Sequence, residues 1–123
     1  MTLKYRILVV DDDADIRYML KQLLEHNNYK VCMADNGIAA EALVLEERYD
    51  AAIIDLRMPV IDGIETLRRL KSINPDLPVM MMSANASKPD RKKAHELGAV
   101  AFYDKPFDFN AILNKLTQYL KDH

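Results

Sequence analysis

Residues 7–13 read ILVVDDD, a run of four apolar residues that leads directly into three consecutive aspartates. A continuous apolar run without alternation is typical of a strand covered on both faces, as in a parallel sheet. Two carboxylates about 5 Å apart repel each other by roughly 3 kcal/mol at an effective dielectric constant near 20. An acidic cluster at the end of a buried strand therefore indicates either a compensating cation or a functional use of that repulsion.

Four further apolar runs follow along the chain, at residues 31–34, 51–54, 79–82 and 100–103. Segments with helical spacing of apolar residues separate them, and another follows the last run. Residues 88–97 contain few apolar side chains, but Gly98 is well placed to end a helix there, so we predict a helix with a thin packed face. Five strands alternating with five helices predict one α/β domain over residues 1–123, with a five-stranded parallel sheet and helices on both faces.

The composition limits the functional classes. Half of the 123 residues are apolar and the net charge is −2, which argues against a general binder of nucleic acid or of membrane surfaces. The apolar run at 7–10 is too short for a signal peptide or a membrane span. Cys32 is the single cysteine, so we expect a small buried apolar residue and a location in the reducing cytoplasm. His26, His95 and His123 lack metal-ligand spacing and are expected near the surface.

Polar residues follow four of the predicted strands. They are Asp11, Asp12 and Asp13 after the first, Asp55 at the end of the third, Ser83 after the fourth and Lys105 after the fifth. In open parallel sheets these strand ends share one edge, where ligands bind. Asp13 is best interpreted as the N-cap of the first helix. Each of the others could be an ordinary loop residue, but their joint placement indicates a Mg²⁺ and phosphoryl site. The chain has no Cys/His set for zinc and no glycine-rich nucleotide loop.

Four stretches carry a resemblance to a known family. "ILVVDDDADIR" at 7–17, "DLRMPVIDGIE" at 55–65, Ser83-Ala84 and "GAVAFYDKPF" at 98–107 occur in the order and spacing of the receiver domain of bacterial response regulators. The resemblance covers about residues 5–121, and D-x-x-M-P-x-x-D-G with the later K-P-F is its most specific part. It implies the strand order 2-1-3-4-5 of this doubly wound fold.

The resemblance also implies roles for the site residues. Asp55 is then the phosphoacceptor, taking a phosphoryl group from a phosphohistidine on a sensor histidine kinase or a histidine phosphotransfer protein. Lys105 pairs with Asp55 at rest and with a phosphoryl oxygen afterwards, and Ser83 donates a hydrogen bond to another oxygen. The implied Mg²⁺ ligands are Asp11, Asp12, Asp55 and the backbone carbonyl of Arg57. The resemblance implies that the protein is not an enzyme acting on other substrates, because a receiver promotes only its own phosphorylation and dephosphorylation.

A switch is implied as well. Phosphorylation draws Ser83 toward the phosphoryl group, and an aromatic residue on the fifth strand, here Phe102, rotates into the vacated space. The segment 88–97, the fifth strand and the last helix then form the moving face. The family further implies a cis peptide bond between Lys105 and Pro106. Asp104 stands where the family often has an apolar residue, and the sequence offers no reason for it.

Two other functions remain as alternatives. Asp11 and Asp13 have the D-x-D spacing of haloacid-dehalogenase-type aspartyl phosphatases, but Asp15 stands where those enzymes have Thr or Val, and the chain looks short for them. A receiver that binds a partner without ever taking phosphate is disfavoured by the intact set of acids, Ser83 and Lys105. The sequence contains no nucleic-acid-binding motif or membrane segment. It does not identify the downstream target, nor whether the domain acts alone or within a longer regulator.

Overall fold

The computed structural model describes residues 4–122, with side chains over 4–121. Strands and helices alternate as β1 (Arg6–Val10), α1 (Ala14–His26), β2 (Lys30–Ala34), α2 (Gly37–Glu46), β3 (Ala51–Asp55), α3 (Gly63–Ile73), β4 (Val79–Ser83), α4 (Lys88–Glu96), β5 (Ala101–Asp104) and α5 (Phe109–Asp122). The five strands form one parallel sheet in the order β2-β1-β3-β4-β5. The predicted fold class and strand order are confirmed.

A hydrophobic core lies on each face of the sheet. Because successive side chains of a strand point to opposite faces, Leu8 joins the core that includes Leu67 of α3. Ile7 and Val9 join the other core, which includes Leu20 of α1. All five side chains are fully buried. The interior strand β1 therefore has no polar face, which explains the uninterrupted apolar run that precedes the aspartates.

Local capping fixes where α1 and α4 begin and end. The Asp13 carboxylate accepts hydrogen bonds from the backbone N–H groups of Asp15 and Ile16, so the predicted N-cap of α1 is confirmed. A capping box between Ser87 and Asp90 opens α4. Ala94 is the one fully buried residue of α4, and Gly98 lies just beyond the helix with a φ of +99°. The predicted helix with a thin packed face is confirmed.

Some details differ from the sequence-based expectations. The fifth strand begins at Ala101 rather than at residue 100 and continues to Asp104. Cys32 is half-buried instead of buried, because β2 is an edge strand of the sheet. His26 and His95 are exposed as expected, and His123 lies outside the described residues.

Two further expectations concern the backbone and the membrane. The Lys105–Pro106 peptide bond is cis, as the resemblance implied. Within residues 4–122, no helix has the length and apolar character needed to cross a membrane.

Candidate functional site

The carboxyl ends of β1, β3, β4 and β5 bring the predicted polar residues to one edge of the sheet. The register pairs Asp55 with Met82 and Ser83 with Asp104, so neighbouring strands end at nearly the same level. Asp11, Asp55 and Ser83 are buried even though they are polar. Buried polar groups cost free energy unless they are paired, so their collection at one edge indicates a site rather than a packing solution.

Three carboxylates form the acidic part of this site. Asp11, Asp12 and Asp55 each place one oxygen within 4.8 Å of the other two. Asp12 is exposed, so the cluster opens to solvent on that side. Asp13 is excluded from the cluster because its carboxylate caps α1. Mg²⁺ in proteins is usually bound by one or two carboxylates together with waters and phosphate oxygens, and this all-oxygen donor set fits it.

Lys105 supplies the positive charge next to the acids. Its ammonium donates a hydrogen bond of 2.8 Å to Asp11 Oδ2 and lies 3.4 Å from Asp55 Oδ1. The ion pair expected with Asp55 is present, and the shorter contact with Asp11 is an addition that the sequence did not suggest. Burial lowers the pKa of Lys105, but the hydrogen bond and charge of Asp11, followed by the charge of Asp55, outweigh it, so the net pKa is raised. Lys105 therefore stays protonated.

The Asp55 carboxyl ionises less readily than an ordinary aspartate. Burial, and then the charge of Asp11, raise the pKa of Asp55 to about 6, against the opposing effect of Lys105. One lysine therefore does not fully compensate the acids. Lys105 supplies part of the positive charge that the acidic cluster needs, and the remaining repulsion favours binding of a further cation.

Ser83 links the ends of β4 and β5. Its side chain is fully buried, and its hydroxyl oxygen accepts a hydrogen bond of 3.1 Å from the backbone N–H of Asn85. The backbone N–H of Lys105 donates to the Ser83 carbonyl at 2.8 Å. A displacement of the Ser83 backbone would therefore be transmitted to the segment that carries Lys105.

Gly63 brings the start of α3 against the end of β3. A Cβ atom at this position would lie 2.3 Å from the Asp55 carbonyl oxygen and 2.6 Å from Leu56 Cα. The Gly63 N–H donates to the Leu56 carbonyl at 2.8 Å. Only glycine allows the backbone of α3 to approach this closely, so residue 63 helps to fix the backbone that holds Asp55.

Arg57 forms a bridge that sequence reasoning missed. Its Nη2 donates to Asp90 Oδ2 at 2.8 Å and to the Asn85 carbonyl at 3.2 Å. The bridge connects the loop after β3 with the loop before α4 and with the first turn of α4. No local pattern links residues 57 and 90, so only the topology could have suggested the pair.

A second cross-element contact explains Asp104. Arg91 of α4 forms an ion pair with Asp104, and its guanidinium carbon lies 4.7 Å from the centre of the Phe102 ring. Phe102 is half-buried and packs against the core. Asp104 thus orients the arginine that covers Phe102.

Comparisons with known proteins agree with this geometry. The model of the response regulator receiver domain family matches residues 7–117, so the chain belongs to that family. Response regulator MprA of Mycobacterium sp. (strain KMS) is 37% identical over 116 residues, which cover 94% of this chain and 50% of that protein. The chain therefore spans about half the length of the curated relatives it matches.

Two solved structures are also similar. The non-phosphorylated HemR receiver domain from Leptospira biflexa has a TM-score of 0.87 at 34% identity, covering 94% of each chain. A response regulator from Burkholderia pseudomallei, solved with a phosphorylated aspartic acid, a calcium ion and citrate, has a TM-score of 0.86 at 26% identity. That match covers 92% of this chain and 66% of the other. Family and fold together favour a receiver of two-component signalling over the phosphatase alternative.

Proposed function

We propose that Asp55 accepts a phosphoryl group from a phosphohistidine on a sensor histidine kinase or a histidine phosphotransfer protein. The observation that carries this proposal is the convergence of the Asp55 carboxylate with Asp11, Asp12 and the Lys105 ammonium at one sheet edge. The phosphorylated aspartic acid of the similar Burkholderia pseudomallei protein supports it. The family match at 7–117 supports one receiver domain over residues 1–123.

The transfer is a substitution at phosphorus. A carboxylate oxygen of Asp55 attacks the phosphorus, the P–N bond to the donor imidazole breaks, and its electron pair leaves with that imidazole, which takes up a proton. The product is an acyl phosphate on Asp55. Lys105 and the Ser83 hydroxyl lie at the same edge and would contact the phosphoryl oxygens, where such donors stabilise the charge of the transition state.

The acidic cluster would hold Mg²⁺. Asp11, Asp12 and Asp55 provide carboxylate oxygens, and the resemblance adds the backbone carbonyl of Arg57. When bound, the ion supplies positive charge that offsets the negative charge on the phosphoryl oxygens. Because Asp11 also accepts the hydrogen bond from Lys105, this carboxylate orients the lysine beside Asp55.

Phosphorylation would then switch one face of the domain. A phosphoryl group adds negative charge and strong hydrogen-bond acceptors next to Ser83. Movement of Ser83 toward it would open space for Phe102, and α4, β5 and α5 would shift together. The half-buried position of Phe102 and the thin packed face of α4 support this proposal.

Arg91→Ala is expected to release Phe102 in the unphosphorylated protein. The guanidinium covers the ring, and contacts of this kind are worth roughly 0.5–1 kcal/mol at exposed sites, so the change should alter ring mobility more than stability. The measurement is the NMR line shape and relaxation of the Phe102 ring protons. Lys92→Ala, at an exposed position of the same helix, is the matched control. Identical ring dynamics in wild type and Arg91→Ala would contradict the restraint.

Labelling with a small phosphodonor tests the proposed acceptor. Incubation with acetyl phosphate and Mg²⁺ should add one phosphoryl group to the intact mass, and EDTA or Asp55→Asn should abolish it. Asp13→Asn is the matched control, because asparagine also caps helices well and Asp13 lies outside the cluster. Full labelling of Asp55→Asn would refute the acceptor. A wild type that takes no label from any donor would favour the binding-only alternative.

A further inference from the structure

Arg17 of α1 reaches back to the loop that carries two of the clustered acids. Its Nη1 donates a hydrogen bond of 2.6 Å to the backbone carbonyl of Asp11. Long side chains of a helix point toward its N-terminus, so the fourth residue of α1 can contact the loop that precedes the helix. Arg17 is half-buried. Hydrogen bonds from a charged donor are stronger than neutral ones, so this contact fastens the beginning of the loop to the helix that follows it.

Asp11 is fully buried and is held at each of its polar atoms. Its backbone N–H donates to the Ala34 carbonyl at 3.2 Å, and its backbone carbonyl accepts from Arg17. Its Oδ1 accepts a hydrogen bond of 2.9 Å from the backbone N–H of Asp13, and its Oδ2 accepts one of 2.8 Å from Lys105. Two of these bonds come from side chains, and Arg17 provides the one that holds the backbone.

Asp12 lies between two restrained neighbours but is not restrained itself. Asp11 is fixed by the bonds just described, and the Asp13 carboxylate is fixed by capping α1. Within residues 4–121, no hydrogen bond holds the Asp12 carboxylate, which is exposed. The direction of this carboxylate therefore depends on the backbone on either side of it. Metal sites commonly depend on such supporting contacts, because groups behind the ligands orient them toward the ion.

We propose that Arg17 is a positioning residue for the Mg²⁺ site, whose bond to the Asp11 carbonyl holds the loop so that the carboxylates of Asp11 and Asp12 face the ion together. This role rests on the proposed function, since it concerns the ion that the acidic cluster would hold. Arg17 contacts the backbone of a ligand residue rather than the ion, so it acts through the loop. Removing supporting groups of this kind lowers metal affinity by roughly 10- to 100-fold.

The sign of the effect separates this role from a simple effect of charge. A guanidinium beside the acids repels a dication, so if Arg17 acted through its charge alone, removing it would strengthen Mg²⁺ binding. If Arg17 acts through the loop, removing it weakens Mg²⁺ binding although the repulsion is also lost. A contribution to folding alone would lower the free energy of unfolding and leave the Mg²⁺ affinity unchanged.

The test is the dissociation constant of Mg²⁺, measured on the full chain by isothermal titration calorimetry. Arg17→Met removes every donor and should bind Mg²⁺ about tenfold more weakly than the wild type. Arg17→Lys restores one donor and should recover part of the affinity. Lys21→Met removes the same charge one turn further along α1 and should bind at least as tightly as the wild type. Arg17→Gln is a second neutral variant, and either neutral variant alone suffices once urea unfolding shows that it is folded.

Amide hydrogen exchange in metal-free buffer gives a second readout that needs no ion. The Asp13 amide donates to Asp11 Oδ1, so it should exchange faster in Arg17→Met, where the loop is held less firmly. A wild type that binds no Mg²⁺ would refute the proposed metal site together with this role. A wild type that binds Mg²⁺ beside folded neutral variants that bind it equally or more tightly, or that leave Asp13 exchange unchanged, would overturn the role of Arg17 alone.

Discussion

In metal-free buffer at pH 7, Asp55→Asn is expected to be more stable than the wild type by about 2–3 kcal/mol. Burial and the neighbouring Asp11 raise the pKa of Asp55 to about 6, from an ordinary value of 3.8. Each tenfold difference in proton affinity between the folded and unfolded chains corresponds to about 1.4 kcal/mol, and the difference here is roughly a hundredfold, so the ionised Asp55 destabilises the fold by about 2–3 kcal/mol at pH 7. Asparagine keeps the shape and removes the charge.

The pH dependence of this gain follows from its cause. Below about pH 4 the carboxyl is protonated in both the folded and the unfolded wild type, so the variant gains little. As the pH rises toward 6, only the unfolded chain releases the proton freely, and the wild type loses stability that the variant retains. Urea unfolding in EDTA at pH 4 and pH 7 measures both values. A gain that is absent, or equal at the two pH values, would contradict the electrostatic cause, and Asp13→Asn should show none.

Magnesium should reverse part of this difference. An ion that binds only the folded state stabilises it by mass action, so the free energy of unfolding should rise with Mg²⁺ concentration. The rise in the free energy of unfolding should be larger for the wild type than for Asp55→Asn. The variant keeps only two of the three clustered carboxylates, so it should bind the ion more weakly. An equal rise in the free energy of unfolding for both proteins would show that Mg²⁺ binds away from Asp55.

Gly63→Ala is expected to destabilise the fold by about 3 kcal/mol, since overpacking of a close backbone contact costs 1–3 kcal/mol and occasionally more. The added Cβ would lie 2.3 Å from the Asp55 carbonyl oxygen, and both partners of this clash are backbone. The start of α3 must then move away from β3, which displaces Asp55. Phosphoryl labelling should therefore fall together with stability.

Gly37→Ala provides the matched control at the first residue of α2. A Cβ there would meet the side chains of Thr66 and Ile61, at 2.1 Å and 2.6 Å, rather than backbone. Side chains can change rotamer, so the loss in urea stability should be smaller and the labelling at Asp55 retained. A Gly63→Ala protein that is as stable as wild type and fully labelled would show that the close approach has no role.

Strand positions and the identity of the site residues could be predicted from the sequence because they depend on local patterns. The apolar run at 7–10 indicates a strand with two covered faces, and in a parallel sheet that strand must end at the same edge as its neighbours. The placement of Asp11 and Asp55 at one edge of the sheet follows from that rule alone. The strand order itself required the resemblance, since periodicity does not distinguish one parallel topology from another.

The contacts that cross between elements could not be predicted. The pairs Arg57–Asp90 and Arg91–Asp104 join charges from different elements, and an exposed charge has many possible partners in a sequence. The preference of Lys105 for Asp11 over Asp55 depends on differences of a few tenths of an ångström. The exposure of Cys32 depends on β2 being an edge strand, which only the sheet order determines.

The most direct measurement is to locate the phosphoryl group after transfer from a phosphohistidine donor. Borohydride reduces an aspartyl phosphate to homoserine, so peptide mass mapping of the reduced protein identifies the modified carboxyl. Conversion at residue 55 alone, lost without Mg²⁺, is the predicted result. Homoserine at residue 11 or 12, or label that resists borohydride and lies on another side chain, would contradict the assignment of Asp55 as the acceptor.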